Sequence, residues 1–191
     1  MKNLILVISG PAGSGKNTVS ERLMAEFPQV RRVITSTSRP PRGTEKDGID
    51  YHFLTPEEFE SGIRSGDFYE YAKVHDRYYG TQKKALSDGG DSDKILIIDV
   101  QGAATWREIA KNNPEINGRL FTVFVAPESE AELRERLAGR GTETQEEIER
   151  RMKTAVDEFR QADKFDFKIL STTRDSDYAA LKKIYLQLKQ K

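Results

Sequence analysis

A chain of 191 residues is long enough for one sizeable core, and 36% hydrophobic against 32% charged residues marks a folded, well-solvated protein rather than a disordered or fibrous one. Lysine plus arginine equals aspartate plus glutamate, 31 against 31, so no bulk field is expected to hold nucleic acid or an anionic membrane, and anion binding must be local. The lack of cysteine excludes disulfides, thiolate metal sites and cysteine nucleophiles, and His52 and His75 are too few for a histidine-rich metal site.

Leu4-Ile-Leu-Val-Ile8 is a β-prone run without alternation, which predicts a parallel strand covered on both faces. It is far shorter than the roughly 18 residues that span a bilayer and lacks the layout of a signal peptide, so the expected location is cytoplasmic. Straight after it come Gly10, Pro11, Ala12, Gly13, Ser14, Gly15, Lys16, Asn17 and Thr18, opening a helix predicted over 16–27. Glycines let backbone N–H groups converge on a phosphate, the helix start adds its positive dipole end, and Lys16 reaches terminal phosphates. A glycine-rich turn that binds nothing is the bland alternative, and the strand–loop–helix context argues against it. Asn17 stands where a magnesium-binding Ser or Thr usually follows the lysine; its amide oxygen can ligate the metal or hold one of its waters.

From 34 to 90 the pattern turns irregular, with clustered Pro, Gly, Thr and Tyr, a β-like piece at 51–54 and a helix near 56–65. This predicts an inserted subdomain. It carries Arg39 and Arg42, whose forks suit phosphate oxygens, with Tyr51 nearby. Glu70, then Tyr78, Tyr79 and Thr81, add a carboxylate and hydroxyls. A carboxylate suits guanine, whose N1–H and amino group are adjacent donors, better than adenine. Strands are expected again at 94–99, 120–125 and, more weakly, 165–170, with helices over 102–112, 130–138, 146–162 and 175–191 between and after them. Strands alternating with helices imply a parallel α/β sheet with right-handed crossovers. The stretch 138–144, joining two helices, reads as a mobile flap.

The phosphate cradle alone serves GTPases, ATPases and small-molecule kinases. The full set of pieces, however, resembles the guanylate kinases over nearly the whole length: the Gly-Pro-x-Gly-x-Gly-Lys loop, Ser38-Arg39-Pro-Pro-Arg42, Gly48-Ile-Asp-Tyr51, Phe68-Tyr-Glu70, Tyr78-Tyr-Gly80, Asp99-Val-Gln-Gly102 and Gly139-Arg-Gly-Thr-Glu143. The resemblance implies a three-layer P-loop NTPase fold with a central parallel sheet, an inserted mixed α/β GMP-binding subdomain and a small helical lid. The implied division is a core of 1–33, 91–126 and 157–191, an acceptor subdomain of 34–90 and a lid of 127–156. It implies ATP-dependent, Mg2+-assisted phosphorylation of GMP to GDP in purine metabolism, without an obligatory protein partner. By the same resemblance Arg39, Arg42, Tyr51 and Tyr79 would hold the GMP phosphate, and Thr35, Glu70, Thr81 and Asp99 would read the guanine. Arg136, Arg140 and Arg151 match lid arginines that close over donor phosphates, with Lys16, Arg39, Arg140 and Arg151 carrying the catalysis.

Three positions depart from the family pattern. Asn17 replaces the hydroxyl after the lysine, Ile97 stands where an acid usually precedes Asp99 by two, and Leu170-Ser-Thr-Thr173 replaces a Val-Asn-Asp near the donor adenine. Two other readings stay open at this point: a noncatalytic guanylate-kinase-like module that binds a protein partner, and a kinase for another phosphorylated acceptor such as a ribose bisphosphate.

Overall fold

The N-terminal apolar run becomes β1 (Ile5–Ser9), fully buried at the middle of a five-stranded parallel sheet. In the computed structural model, residues 3–74, 76–88, 90–139 and 144–190 are described. The sheet order is β2-β7-β1-β8-β9, where β2 is Val30–Arg32, β7 Asp93–Ile97, β8 Leu120–Ala126 and β9 Phe167–Leu170. The missing alternation now has its cause. Leu4, Leu6 and Ile8 face one apolar layer, packed by Val19 and Leu23 of α1 (Lys16–Glu26) and by Leu181, Ile184 and Leu188 of α7 (Arg174–Lys189). Ile5 and Val7 face the other, which contains Ala103 and Trp106 of α4 (Val100–Asn112) with Phe124 and Phe165. A strand covered on both sides can be apolar at every position.

A second sheet of four short strands stands beyond the core, ordered β4-β3-β6-β5. Here β3 is Ser36–Thr37, β4 His52–Phe53, β5 Phe68–Val74 and β6 Arg77–Gln82, with α2 (Pro56–Arg64) between β4 and β5 and α3 (Lys83–Ser87) after β6. Helix α2 is defined by its ends: Thr55 and Glu58 form a capping box and Pro56 begins the first turn. The antiparallel β5–β6 pair, as well as β2, β3 and α3, were not expected from residue pattern. The hairpin strands are polar and aromatic, FYEYAKV and RYYGTQ, with no clean alternation.

Helices α5 (Glu130–Ala138) and α6 (Gln145–Arg160) close a small cluster of Leu133, Leu137, Ile148, Met152 and Ala155, against which Ala12 of the glycine-rich β1–α1 loop packs. Helix α6 stops at Arg160 rather than reaching 162, and a 3-10 turn covers Ala162–Lys164. Helix α4 starts at Val100, earlier than expected, because the Asp99 side chain caps it through Gly102 N at 2.7 Å.

Candidate active site

A cleft of about 730 Å³ opens where the carboxyl ends of the central strands meet the second sheet. One side of it is the loop between β1 and α1. Gly10 has φ 139°, and a Cβ there would stand 2.0 Å from the Val125 carbonyl oxygen, so only glycine lets the loop leave β1 beside β8. Gly15, also with positive φ, is the N-cap of α1 and aims the helix start into the cleft. Lys16 Nζ donates to the Pro11 carbonyl at 3.0 Å, so the ammonium arches back over the loop. Gly10, Ala12, Gly13, Gly15, Lys16, Asn17 and Thr18 line the cleft, while Pro11 and Ser14 lie behind them. The Ser14 hydroxyl is buried and has no hydrogen-bond partner among the described residues. Converging amides, a lysine and an orphaned hydroxyl fit a polyphosphate.

The opposite side is shaped by one irregularity. Phe68 pairs with Gln82, but Glu70 pairs with Thr81, so a bulge at Tyr69 shifts the register. Tyr69 turns inward onto Trp106, ring centroids 5.2 Å apart, and Glu70 turns into the cleft. Thr81 then donates to Glu70 Oε1 at 2.7 Å from its buried position behind. Burial pushes the Glu70 carboxyl up, the Thr81 hydroxyl pulls it back and the Asp99 charge raises it again. Gly80 permits this, since a Cβ there would lie 2.6 Å from the Glu70 carbonyl oxygen. Thr35, Tyr51, Tyr79 and Asp99 line the same cleft. Tyr78, one residue along the strand, faces the other way, stacking on Phe59 and bonding Glu60.

Arg39 is only 6% exposed and pairs in bidentate fashion with Glu45, at 2.6 and 2.8 Å, under the Tyr51 ring at 5.0 Å. The Glu45 carboxylate holds the Arg39 guanidinium above its already high value, against burial, and is itself held below the ordinary carboxylate range. Arg39 therefore sits behind Tyr51 rather than on the cleft wall. Arg42 lies on an exposed loop, its backbone N–H donating to Glu45 at 2.8 Å.

Arg151 projects from α6 into the cleft. Arg136 does not line it: its guanidinium donates to Ser171 Oγ at 2.7 Å, to Ser171 O at 2.8 Å and to Glu132 at 2.6 Å. Arg140 lies outside the described residues. Among the described residues, five cleft side chains carry functional groups to which motif reading gave no role: Arg32 at the end of β2, Tyr71 on β5, Gln101 and Thr105 on α4, and Glu158 on α6. Burial pushes the Glu158 carboxyl up to about 7, Lys16 pulls it down and Asp99 raises it. A signal for it exists in the pattern. Glu158 follows Arg151 by seven residues, about two turns, so both lie on one edge of the stripe made by Ile148, Met152, Ala155 and Phe159.

Among the described residues no group of three or more acidic, histidine or cysteine side chains could hold a metal ion. Asn17, Thr18, Asp99 and Glu158 nevertheless bring oxygen atoms to the cleft beside Lys16, which fits a hard cation that arrives with phosphates. No helix among the described residues is long and apolar enough to cross a membrane.

The comparisons with known proteins agree in direction. The family model described as guanylate kinase matches residues 2–188. The guanylate kinase of Campylobacter jejuni (strain RM1221) is 37% identical over 97% of this chain and 89% of its own. That of Clostridium acetobutylicum is 41% identical over 90% of this chain and 79% of its own. The crystal structure of guanylate kinase from Anaplasma phagocytophilum superposes with a TM-score of 0.76 at 26% identity, covering all of this chain and 88% of that one.

Proposed function

The chain belongs to the guanylate kinase family and transfers a phosphoryl group from ATP to GMP, and we propose that the cleft between the phosphate loop and the β5–β6 sheet is where it does so. One observation carries this assignment: Lys16, Asn17 and Thr18 on one side and Thr35, Tyr51, Glu70 and Tyr79 on the other line a single cavity. Donor and acceptor can then be held together, and positioning converts a bimolecular encounter into an intramolecular one.

The GMP phosphate is ionised at neutral pH, so it can attack the terminal phosphorus of the donor without a strong base. What the protein must supply is alignment and positive charge. Lys16 and Arg151 neutralise the transferring group, joined by Arg140 on family resemblance, while Arg136, held on Ser171 and Glu132, would have to leave those partners to reach it. Tyr51 and Tyr79 orient the acceptor phosphate, with Arg39 behind Tyr51 and Arg42 on the adjoining loop adding their charge. Glu70, buttressed by Thr81, accepts from the guanine N1–H and amino group; Thr35 and Asp99 flank it. Residues 34–90 act as the acceptor subdomain, 127–156 as the lid that excludes water, and the remainder as the rigid core. Magnesium, when bound, would be held by Asn17, directly or through water, and supplies charge neutralisation on the donor phosphates. Two water-soluble nucleotide substrates suit a cytoplasmic reaction, and nothing in this scheme needs nucleic acid, membrane or a protein partner.

The test is an ADP-release assay run with GMP, dGMP, AMP and ribose 1,5-bisphosphate as separate acceptors. ADP formation with GMP above AMP is expected. Release with the ribose bisphosphate alone would point to a different acceptor class, and no release with any acceptor from folded protein would favour a binding module.

A further inference from the structure

Among the described residues three carboxyl groups line the cleft: Glu70, Asp99 and Glu158. Two are accounted for, Glu70 by its bond from Thr81 and Asp99 by its cap on α4. Glu158 differs. It is half-buried on α6, and among the described residues nothing donates a hydrogen bond to its carboxyl group, although Lys16 lies close enough to act on its charge. A carboxylate in that position opposes the binding of phosphates that Lys16, Arg151 and the loop amides attract. A cation that enters with the phosphates reverses the sign of that effect.

The neighbourhood has a matching shortage. Ile97, which ends β7 and lines the cleft, offers no side-chain oxygen, and Asn17 offers an amide rather than a charge. Magnesium that arrives with the donor phosphates keeps several waters, which need acceptors to orient them.

We propose that Glu158 is a positioning residue for the donor's magnesium, accepting hydrogen bonds from the metal's water shell and supplying from α6 the carboxylate that Ile97 does not. Phe159, the next residue, packs on the α5–α6 cluster that Ala12 of the phosphate loop also touches. The seat of α6 thus sets how far the Glu158 carboxylate stands from the donor phosphates, which couples the helical lid to metal occupancy.

The inference rests on the ATP-dependent kinase reading, and the experiment separates the two. Calorimetry would measure ATP binding with and without Mg2+ for the unmodified chain, E158Q and Glu158→Asp, alongside GMP-dependent ADP release by the unmodified chain. In E158Q the gain in ATP affinity conferred by Mg2+ is expected to fall by about 10-fold or more, as when a group that orients a metal's ligands is lost. Metal-free ATP should bind E158Q at least as tightly as before, because a repelling charge has gone. Glu158→Asp, which keeps a carboxylate, should retain part of the gain and guards against a folding defect in E158Q. An unchanged Mg2+ gain in E158Q, or equal weakening with and without metal, would overturn the inference. Absence of ADP release by the unmodified chain would instead overturn the kinase reading beneath it.

Discussion

Strand β7 meets an aspartate at each end: Asp93 begins it and Asp99 lies two residues beyond its last residue. Asp93 is 2% exposed and fully engaged, accepting from Leu4 N at 2.8 Å, from the Tyr185 hydroxyl at 2.7 Å and from Lys189 at 3.1 Å. Burial, and then the bond to Asp93, hold the Tyr185 hydroxyl above the ordinary tyrosine range. Asp99 is exposed, caps a helix and shares its cleft with the raised carboxyls of Glu70 and Glu158. One end of the sheet is sealed, with the Asp93 charge paired; at the other, the Glu70 and Glu158 carboxyls are partly withdrawn from water beside the exposed Asp99. Buried charge that is paired contributes to fold integrity, whereas charge left partly unpaired is available for a ligand.

Substitutions at the two ends should therefore separate activity from stability. Lys16→Met, at the open end, is expected to lower GMP-dependent turnover by about 1000-fold, the scale of losing one preorganised charge on a transferring group, with the melting temperature nearly unchanged. Normal GMP-dependent ADP formation by that variant would refute the role of Lys16. At the sealed end Asp93→Ala should cost about 3 kcal/mol in denaturant unfolding, because Lys189, Tyr185 and Leu4 N lose a buried partner, while turnover of the folded fraction persists. Loss of turnover without loss of stability would break the comparison.

Smaller effects sharpen it. Glu70→Gln is expected to raise the KM for GMP about 30-fold, or about 2 kcal/mol, by presenting a donor to a donor. The same change should leave stability equal or higher at neutral pH, since burial opposes the Glu70 charge. Steady-state kinetics and thermal melts on one preparation check both halves. For Glu158 the sign follows from a folded-state pKa raised to about 7 from 4.5. The folded state holds this proton more tightly than the unfolded state, so the contribution is present at acid pH and is lost as pH rises through about 7. Without a titrating carboxyl, E158Q should gain up to about 2 kcal/mol over the unmodified chain at alkaline pH and little near pH 5, measured by melts across pH. A constant difference at all pH values would remove Glu158 from the set of charges strained by the open end.

How much of this was legible in the residues varies by region. Strands β1, β7 and β8 and the major helices follow from local pattern, because their apolar residues face a core on repeating geometry. The β5–β6 hairpin was not legible, since its residues serve the cleft on one face and packing on the other. Tyr69 and Glu70 are adjacent in sequence yet end on opposite sides through a bulge that no composition announces. Arg136 matched a lid pattern but is drawn onto Ser171, a partner 35 residues away.

What the sequence by itself determined is the phosphate loop. Gly10 to Lys16 is one contiguous stretch whose backbone conformation, helix start and lysine are all local properties, and the neighbouring motifs reached the guanylate kinase family. Only the tertiary structure decided which charges share that cleft. Glu158 stands 142 positions from Lys16 and 59 from Asp99 in the chain; burial raises its pKa, Lys16 opposes the rise and Asp99 adds to it, and all three influences exist only once α6 packs against the loop. Burial and charge proximity belong to the folded chain as a whole, so a residue whose role depends on them has no signature in its own short segment.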